Sequence, residues 1–205
     1  MRAGGKETEI KLAIRNAAAM RRQLRRRGFR VIGRRRFEQN VLFDSPQRTL
    51  RRRHCMLRLR SVNGRHWLTF KGPSESSSRY KVRRQYEIEL TDAGAAGAIL
   101  AGLGLAPVFR YQKFRTVYAG RGPWAGGEVM LDETPIGDFL ELEGRREWIR
   151  RVARALGSGP EQFITRTYAA LYLDWCRRHR RPATHMVFGG AHRALGLTKE
   201  KRKRM

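Results

Sequence analysis

The chain has 205 residues, with 45 Lys and Arg against 18 Asp and Glu, a formal net charge of +27. Its 40% hydrophobic content can bury one sizeable core, and its charge calls for an anionic partner: nucleic acid, an acidic membrane surface or a polyanionic small molecule. Cys55 and Cys176 stand far apart without CxxC spacing and suggest neither a disulfide framework nor a zinc site. No run approaches the ~18 apolar residues that a spanning helix needs. The ordered pattern begins by Glu7, leaving no room for a signal peptide, so a cytoplasmic protein without membrane contact is expected.

The first strand is expected over 6–14. Successive strand side chains alternate, so Glu7, Glu9 and Lys11 share one face while Ile10, Leu12 and Ile14 turn to a core. Asn16 caps a helix over 17–27 that stops at Gly28. Strands follow over 37–44, 55–62, 66–72 and 82–90, with 72–79, holding Pro73 and several serines, as a flexible loop that could act as a lid. Thr91 or Asp92 caps an Ala-rich helix reaching about Gly102, and strands are expected over 110–119, 127–133 and 138–143. Two helices close the pattern, over about 145–156 and 160–175. From 177 the chain is basic and without periodicity, which reads as one domain over 1–176 and a largely disordered tail over 177–205. Many strands and few helices favour a predominantly β (α+β) fold, an antiparallel sheet or barrel.

The polar faces of these strands are sorted by charge. Arg58 and Arg60 share one face, as do Thr69 and Lys71, Lys113 and Arg115, Glu87 and Glu89, and Glu141 and Glu143; Asp132 lies on the Glu128 face. A solvated outer face is the ordinary reading of any one pair. Like charges within a strand carry a cost, however, unless a ligand compensates. If the faces point into a closed barrel, Lys11, Arg58, Arg60, Lys71, Lys113 and Arg115 suit a chain of phosphates, with Arg forks gripping phosphate oxygens and Lys acting as a point charge. The carboxylates then suit Mg²⁺ or Mn²⁺, hard ions that prefer oxygen. No GxxxxGK[ST] segment is present, so any triphosphate must be gripped by side chains on strands.

In order, ExExK, the RxR of LRLR, the TxK of LTFKGP, the ExE of YEIEL, the KxR of YQKFR, an Asp and the ExE of FLELEG resemble the CYTH, or triphosphate tunnel metalloenzyme, superfamily over about residues 6–175. The FDSP segment at Phe43–Pro46 is similar to the bacterial class IV adenylyl cyclase branch. This resemblance implies an eight-stranded closed antiparallel tunnel with a few flanking helices. It makes Glu7, Glu9, Asp132, Glu141 and Glu143 metal ligands for Mg²⁺ or Mn²⁺, and Lys11, Arg58, Arg60, Lys71, Lys113 and Arg115 the phosphate grip. Glu87 and Glu89 would order the neighbouring arginines or a second metal. Glu7 and Glu9 are also placed in the catalytic set with Lys71, a candidate general base because surrounding cations disfavour its protonated form.

Two reactions use such a grip: hydrolysis of a triphosphate (inorganic triphosphate, thiamine triphosphate or a nucleoside triphosphate), or cyclisation of ATP to cyclic AMP and pyrophosphate. Hydrolysis is the commoner activity across the superfamily and the preferred expectation. A nucleic-acid-binding protein, with nonspecific contacts through the basic tail, is the reading from a different class. Oligomeric state stays open, with a homodimer common in all-β families of this kind.

Overall fold

The computed structural model describes residues 2–75 and 79–189, with side chains from residue 5 onward. Eight strands carry the fold: β1 (Arg2–Ile14), β2 (Arg30–Asp44), β3 (Met56–Val62), β4 (Arg65–Ser74), β5 (Lys81–Leu90), β6 (Ala106–Ala119), β7 (Gly127–Thr134) and β8 (Gly137–Gly144). They close into one barrel in the order β1-β5-β4-β3-β2-β6-β7-β8, every pairing antiparallel. Closure leaves no open edge around the central ring. The helices are α1 (Ala17–Arg26), α2 (Thr49–Arg52), α3 (Ala93–Gly102), α4 (Arg146–Ala155) and α5 (Tyr168–Arg178).

The barrel is turned inside out relative to one with a greasy interior. Its apolar faces point outward to the helices, and its charged faces point in. Ile10 and Leu12 of β1, Val129 and Leu131 of β7, and Leu140 and Leu142 of β8 are buried against Leu24 of α1 and Ile149 and Val152 of α4. Each such side chain stabilises the fold by roughly 1.5–3 kcal/mol. The amphipathic helices therefore hold the wall, and the lumen is free to carry charge.

Local chemistry sets the helix ends. Asn16 accepts a hydrogen bond from Ala19 N at 2.9 Å at the start of α1, and Asp92 accepts from Gly94 N and Ala95 N at the start of α3; each satisfies an orphan amide. Gly28, at φ +83°, turns the chain out of α1. Trp148 of α4 lies against Gly127 and Gly144, where an added Cβ would come within 2.7 and 2.8 Å of the indole. Its Nε1 donates to Trp124 O at 2.9 Å. Those two glycines are what let the helix seat this closely.

Several boundaries differ from the sequence expectations. The helix placed over 160–175 is instead a 3-10 turn at Pro160–Gln162 followed by α5 from Tyr168. Between them the backbone is drawn out by Ile164, which exchanges hydrogen bonds with Lys11 (2.8 and 2.9 Å), and Thr167 then caps α5 through Ala170 N. β2 begins at Arg30, earlier than the expected 37, and reaches β6 through register shifts. β4 continues through Pro73 to Ser74, so the expected lid over 72–79 is shorter; 76–78 fall outside the described residues.

Residues 177–189, expected in a disordered tail, are placed in part by regular contacts. α5 runs to Arg178, and Met186, fully buried, lies in a parallel bridge beside Tyr111. The basic end over 199–204 is outside the described residues. Among the described residues no helix is long and apolar enough to cross a membrane.

Candidate active site

The inward faces enclose a cavity of about 660 Å³, the size of a site for a drug-sized ligand. Lys11, Arg58, Arg60, Lys71, Lys113 and Arg115 all line it, together with Glu7, Glu9, Glu141 and Glu143. Alternation along β1, β3, β4, β6 and β8 puts every one of these side chains on the lumen side.

The cations are held before any ligand arrives. Asp132, at 0% exposure, accepts from Arg115 Nε and Nη2 at 2.6 Å each, from Lys113 Nζ at 2.9 Å and from the Tyr168 hydroxyl at 2.7 Å. Its oxygens are spent on these partners and it does not line the cavity. That placement corrects the metal-ligand reading of Asp132: it is the buried anchor of Lys113 and Arg115. Glu87 plays the matching part across the tunnel, accepting from Arg60 at 3.1 Å and from Thr69 at 2.7 Å, with Arg58 3.7 Å away. Arg58 also donates to Thr69 at 3.2 Å and Tyr111 at 3.3 Å. Burial opposes charge on Arg58 and Arg115, but their anionic and hydroxyl neighbours outweigh it and raise both further above the ordinary guanidinium range.

The carboxylates form a second arrangement. Glu9 of β1 pairs with Glu143 of β8, and Glu143 pairs with Glu128 of β7, giving three acids in register across adjacent strands. Like charges directly opposite are unfavourable. Burial raises Glu9 and Glu141, but lysines 11, 81 and 71 hold Glu9 well below the usual carboxylate range, and Arg115, Lys11 and Lys113 do so for Glu141. Glu9 is ion-paired to Lys81, and Glu141 to Arg115 and, at 3.3 Å, to Lys11. Glu143 has no such partner: half-buried, without a hydrogen bond or ion pair among the described residues, it is pushed up to about 7 by burial and then by Glu7, Glu9 and Glu141.

An acid row in which Glu128 and Glu143 both lack a hydrogen bond or ion pair among the described residues fits a hard divalent cation, which would compensate their charge. Among the described residues no three acids, histidines or cysteines converge as a finished cluster, because Glu9 and Glu141 are turned onto their cations. Glu7, Glu9, Glu141 and Glu143 are the residues that would hold the ion.

Two further expectations shift. Lys71, read as an ammonium among guanidinium groups, lies 2.5 Å from the Glu7 carboxylate, so its nearest neighbour is an anion. Glu89 is exposed at the rim, bonded to Arg65 at 2.6 and 2.8 Å, and does not line the tunnel.

The sequence reading missed Lys81, Glu38 and Glu128. Lys81 lines the cavity, and burial lowers it to about 8 despite Glu9. Starting β5 at 82 left it out; the lumen-side alternation Lys81, Arg83, Gln85, Glu87 was the available signal. Glu38 is fully buried 3.7 Å from Lys113; burial raises it, and Lys113 and Arg115 pull it down to about 2. Glu128 belongs to the acid row only through the register of β7 on β8.

A closed eight-stranded antiparallel tunnel with a cationic lumen and an acid row is a site suited to a polyanionic ligand. A family model described as the CYTH domain matches residues 5–168, and the chain belongs to the CYTH family, whose members are triphosphate-acting enzymes. The chain is 27% identical over 176 residues to a candidate adenylate cyclase of Methanocaldococcus jannaschii, covering 80% of this chain and 97% of that protein. A solved candidate adenylate cyclase from Vibrio parahaemolyticus superposes with a TM-score of 0.71 at 21% identity, covering 82% of this chain and 98% of that one. A Hippeastrum protein, described as a candidate adenylyl cyclase with a dominant triphosphatase activity, gives a TM-score of 0.60 at 15% identity over 86% of this chain and 97% of its own. These two structures share the fold.

Proposed function

We propose that this chain is a divalent-metal-dependent triphosphatase. The observation that carries the reading is one cavity whose lining brings Lys11, Arg58, Arg60, Lys71, Lys113 and Arg115 together with Glu7, Glu9, Glu141 and Glu143 from different strands. Lys11, Arg58, Arg60, Lys113 and Arg115 bind the phosphate chain. Because Asp132 already holds Lys113 and Arg115, Glu87 holds Arg60 and Thr69 holds Arg58, little reorganisation is needed when charge shifts on the phosphates, which is how phosphoryl transfer is chiefly accelerated. A divalent ion held by Glu7, Glu9, Glu141 and Glu143 would supply charge neutralisation at phosphate oxygens. The Glu7–Lys71 pair, in the same lumen, is the candidate for positioning the attacking water and moving its proton.

Cyclisation of ATP is the second reading. Two observations favour it: the M. jannaschii relative's name, and an apolar strip of Leu42, Val108, Phe109 and Leu173 in the same cavity, which a nucleobase could occupy. Purified protein with Mg²⁺ or Mn²⁺, given inorganic triphosphate, thiamine triphosphate and ATP separately, tests the choice by phosphorus NMR of the products. Orthophosphate release supports hydrolysis. Cyclic AMP with equal pyrophosphate, and no orthophosphate, overturns it in favour of the cyclase.

A further inference from the structure

We propose that the segment 182–188 is a specificity-determining wall of the tunnel, bounding the space that takes the organic group of a triphosphate. The proposal rests on the triphosphate reading above and adds residues beyond the CYTH match, which ends at residue 168.

The placement begins with an unmet hydrogen-bonding need. β6 pairs with β2 from Ala106 onward, but with β7 only from Phe114. The other edge of 106–113 would stand open beside the tunnel. The segment 182–188 covers it: Met186 N donates to Arg110 O at 3.0 Å, Gln112 N donates to Met186 O at 2.9 Å, and Phe188 N donates to the Gln112 side chain at 3.1 Å. Met186 is fully buried in a cluster with Tyr111, Tyr168, Tyr172 and Cys176. Anchored by this one side chain and these bonds, the strap sets Ala183 and Thr184 into the cavity lining.

The lining there suits an uncharged organic group rather than phosphate. Ala183 and Thr184 join Val108, Phe109, Ala169 and Leu173. The carboxylates lie within a nucleoside triphosphate's reach of this end: Glu141 is 3.3 Å from Lys11, whose ammonium is 5.2 Å from the Tyr168 ring, and Tyr168, Tyr111 and Phe109 follow at ring-to-ring steps of 6.1 and 6.0 Å. A triphosphate reaching toward the carboxylates would leave its attached group at the strap. Both strap residues are small, so the space they leave is set by their side-chain size.

The test uses the full chain carrying Ala183→Trp or Thr184→Trp, with kcat and KM measured for inorganic triphosphate and for ATP. The expected result is a fall in the ATP to inorganic triphosphate ratio of kcat/KM of about tenfold or more, the scale of a one- or two-methylene misfit, mostly through KM for ATP. Thr184→Leu adds less bulk; should the tryptophan variants melt early, it is expected to move the ratio in the same direction. Equal losses on both substrates, or no change, would mean that the strap only seals the edge of β6, and would overturn the proposal while leaving the triphosphate reading standing. ATP that neither reacts nor competes with inorganic triphosphate would also overturn it. Wild-type protein that neither binds nor turns over any triphosphate would sink both.

Discussion

Glu143→Gln separates a binding role from a stabilising one. In the metal-free protein the Glu143 carboxyl titrates at about 7, against an ordinary 4.5. A raised carboxyl binds more protons folded than unfolded between those two values, so its contribution to stability is full below pH 4.5 and is lost as pH rises to 7. At about 1.36 kcal/mol per pKa unit, the difference amounts to about 3 kcal/mol, or about 2–3 kcal/mol once the partial solvation of a half-buried group is discounted. Glutamine keeps the shape and carries no charge. At pH 8 without metal, the variant is therefore expected to melt higher than wild type by roughly 4–12 °C. Mg²⁺ or Mn²⁺ should reverse the order, raising the wild-type melting temperature and leaving the variant nearly unmoved, because binding a metal requires the ionised carboxylate. Differential scanning calorimetry at pH 5 and pH 8, with and without metal, reads all four conditions. A metal-free variant less stable than wild type at pH 8 would refute the reasoning, since it would mean that Glu143 is satisfied by its neighbours and has no need of a cation.

Three other outcomes follow from the same geometry. Asp132→Asn removes the charge that holds Lys113, Arg115 and Tyr168; it should cost about 3–5 kcal/mol by urea unfolding, because buried cations are left uncompensated, and abolish turnover. Glu87→Gln loosens Arg60 and Arg58 from a half-buried position, so steady-state kinetics should give a higher KM for triphosphate with kcat less affected and the melting temperature within a few degrees of wild type. Gly127→Ala would drive a Cβ to 2.4 Å from Glu143 O and 2.7 Å from the Trp148 ring; the overpacking should cost about 1–3 kcal/mol in a denaturant titration and shift Trp148 fluorescence.

Much of the fold was legible because strand alternation is a strong signal when both faces are marked. Glu7, Glu9 and Lys11 against Ile10, Leu12 and Ile14 left one reading of β1, and the same contrast identified Arg58, Arg60, Lys113, Arg115, Glu141 and Glu143 as companions in one lumen. Boundaries were lost where local pattern yields to tertiary contact. Residues 163–167 look helical in sequence but are held extended by Lys11, and Met186 has nothing around it to announce burial against Tyr111. Partnership was the least legible layer. Asp132 and Glu141 are both acids on lumen-side strand positions, yet only the packing of Tyr168 and Lys113 makes the first an anchor and leaves the second facing the cavity. Glu128 was invisible as a site residue because its place depends on register, which no single strand encodes.

The most direct test of a metal-dependent hydrolase is the initial rate of orthophosphate release from inorganic triphosphate, followed as Mg²⁺ is raised from a chelated zero in wild type and in Glu143→Gln. The account predicts no release at zero metal, a saturable rise in wild type, and a flat line in the variant. Release that ignores the metal, or survives in Glu143→Gln at the wild-type rate, would contradict it.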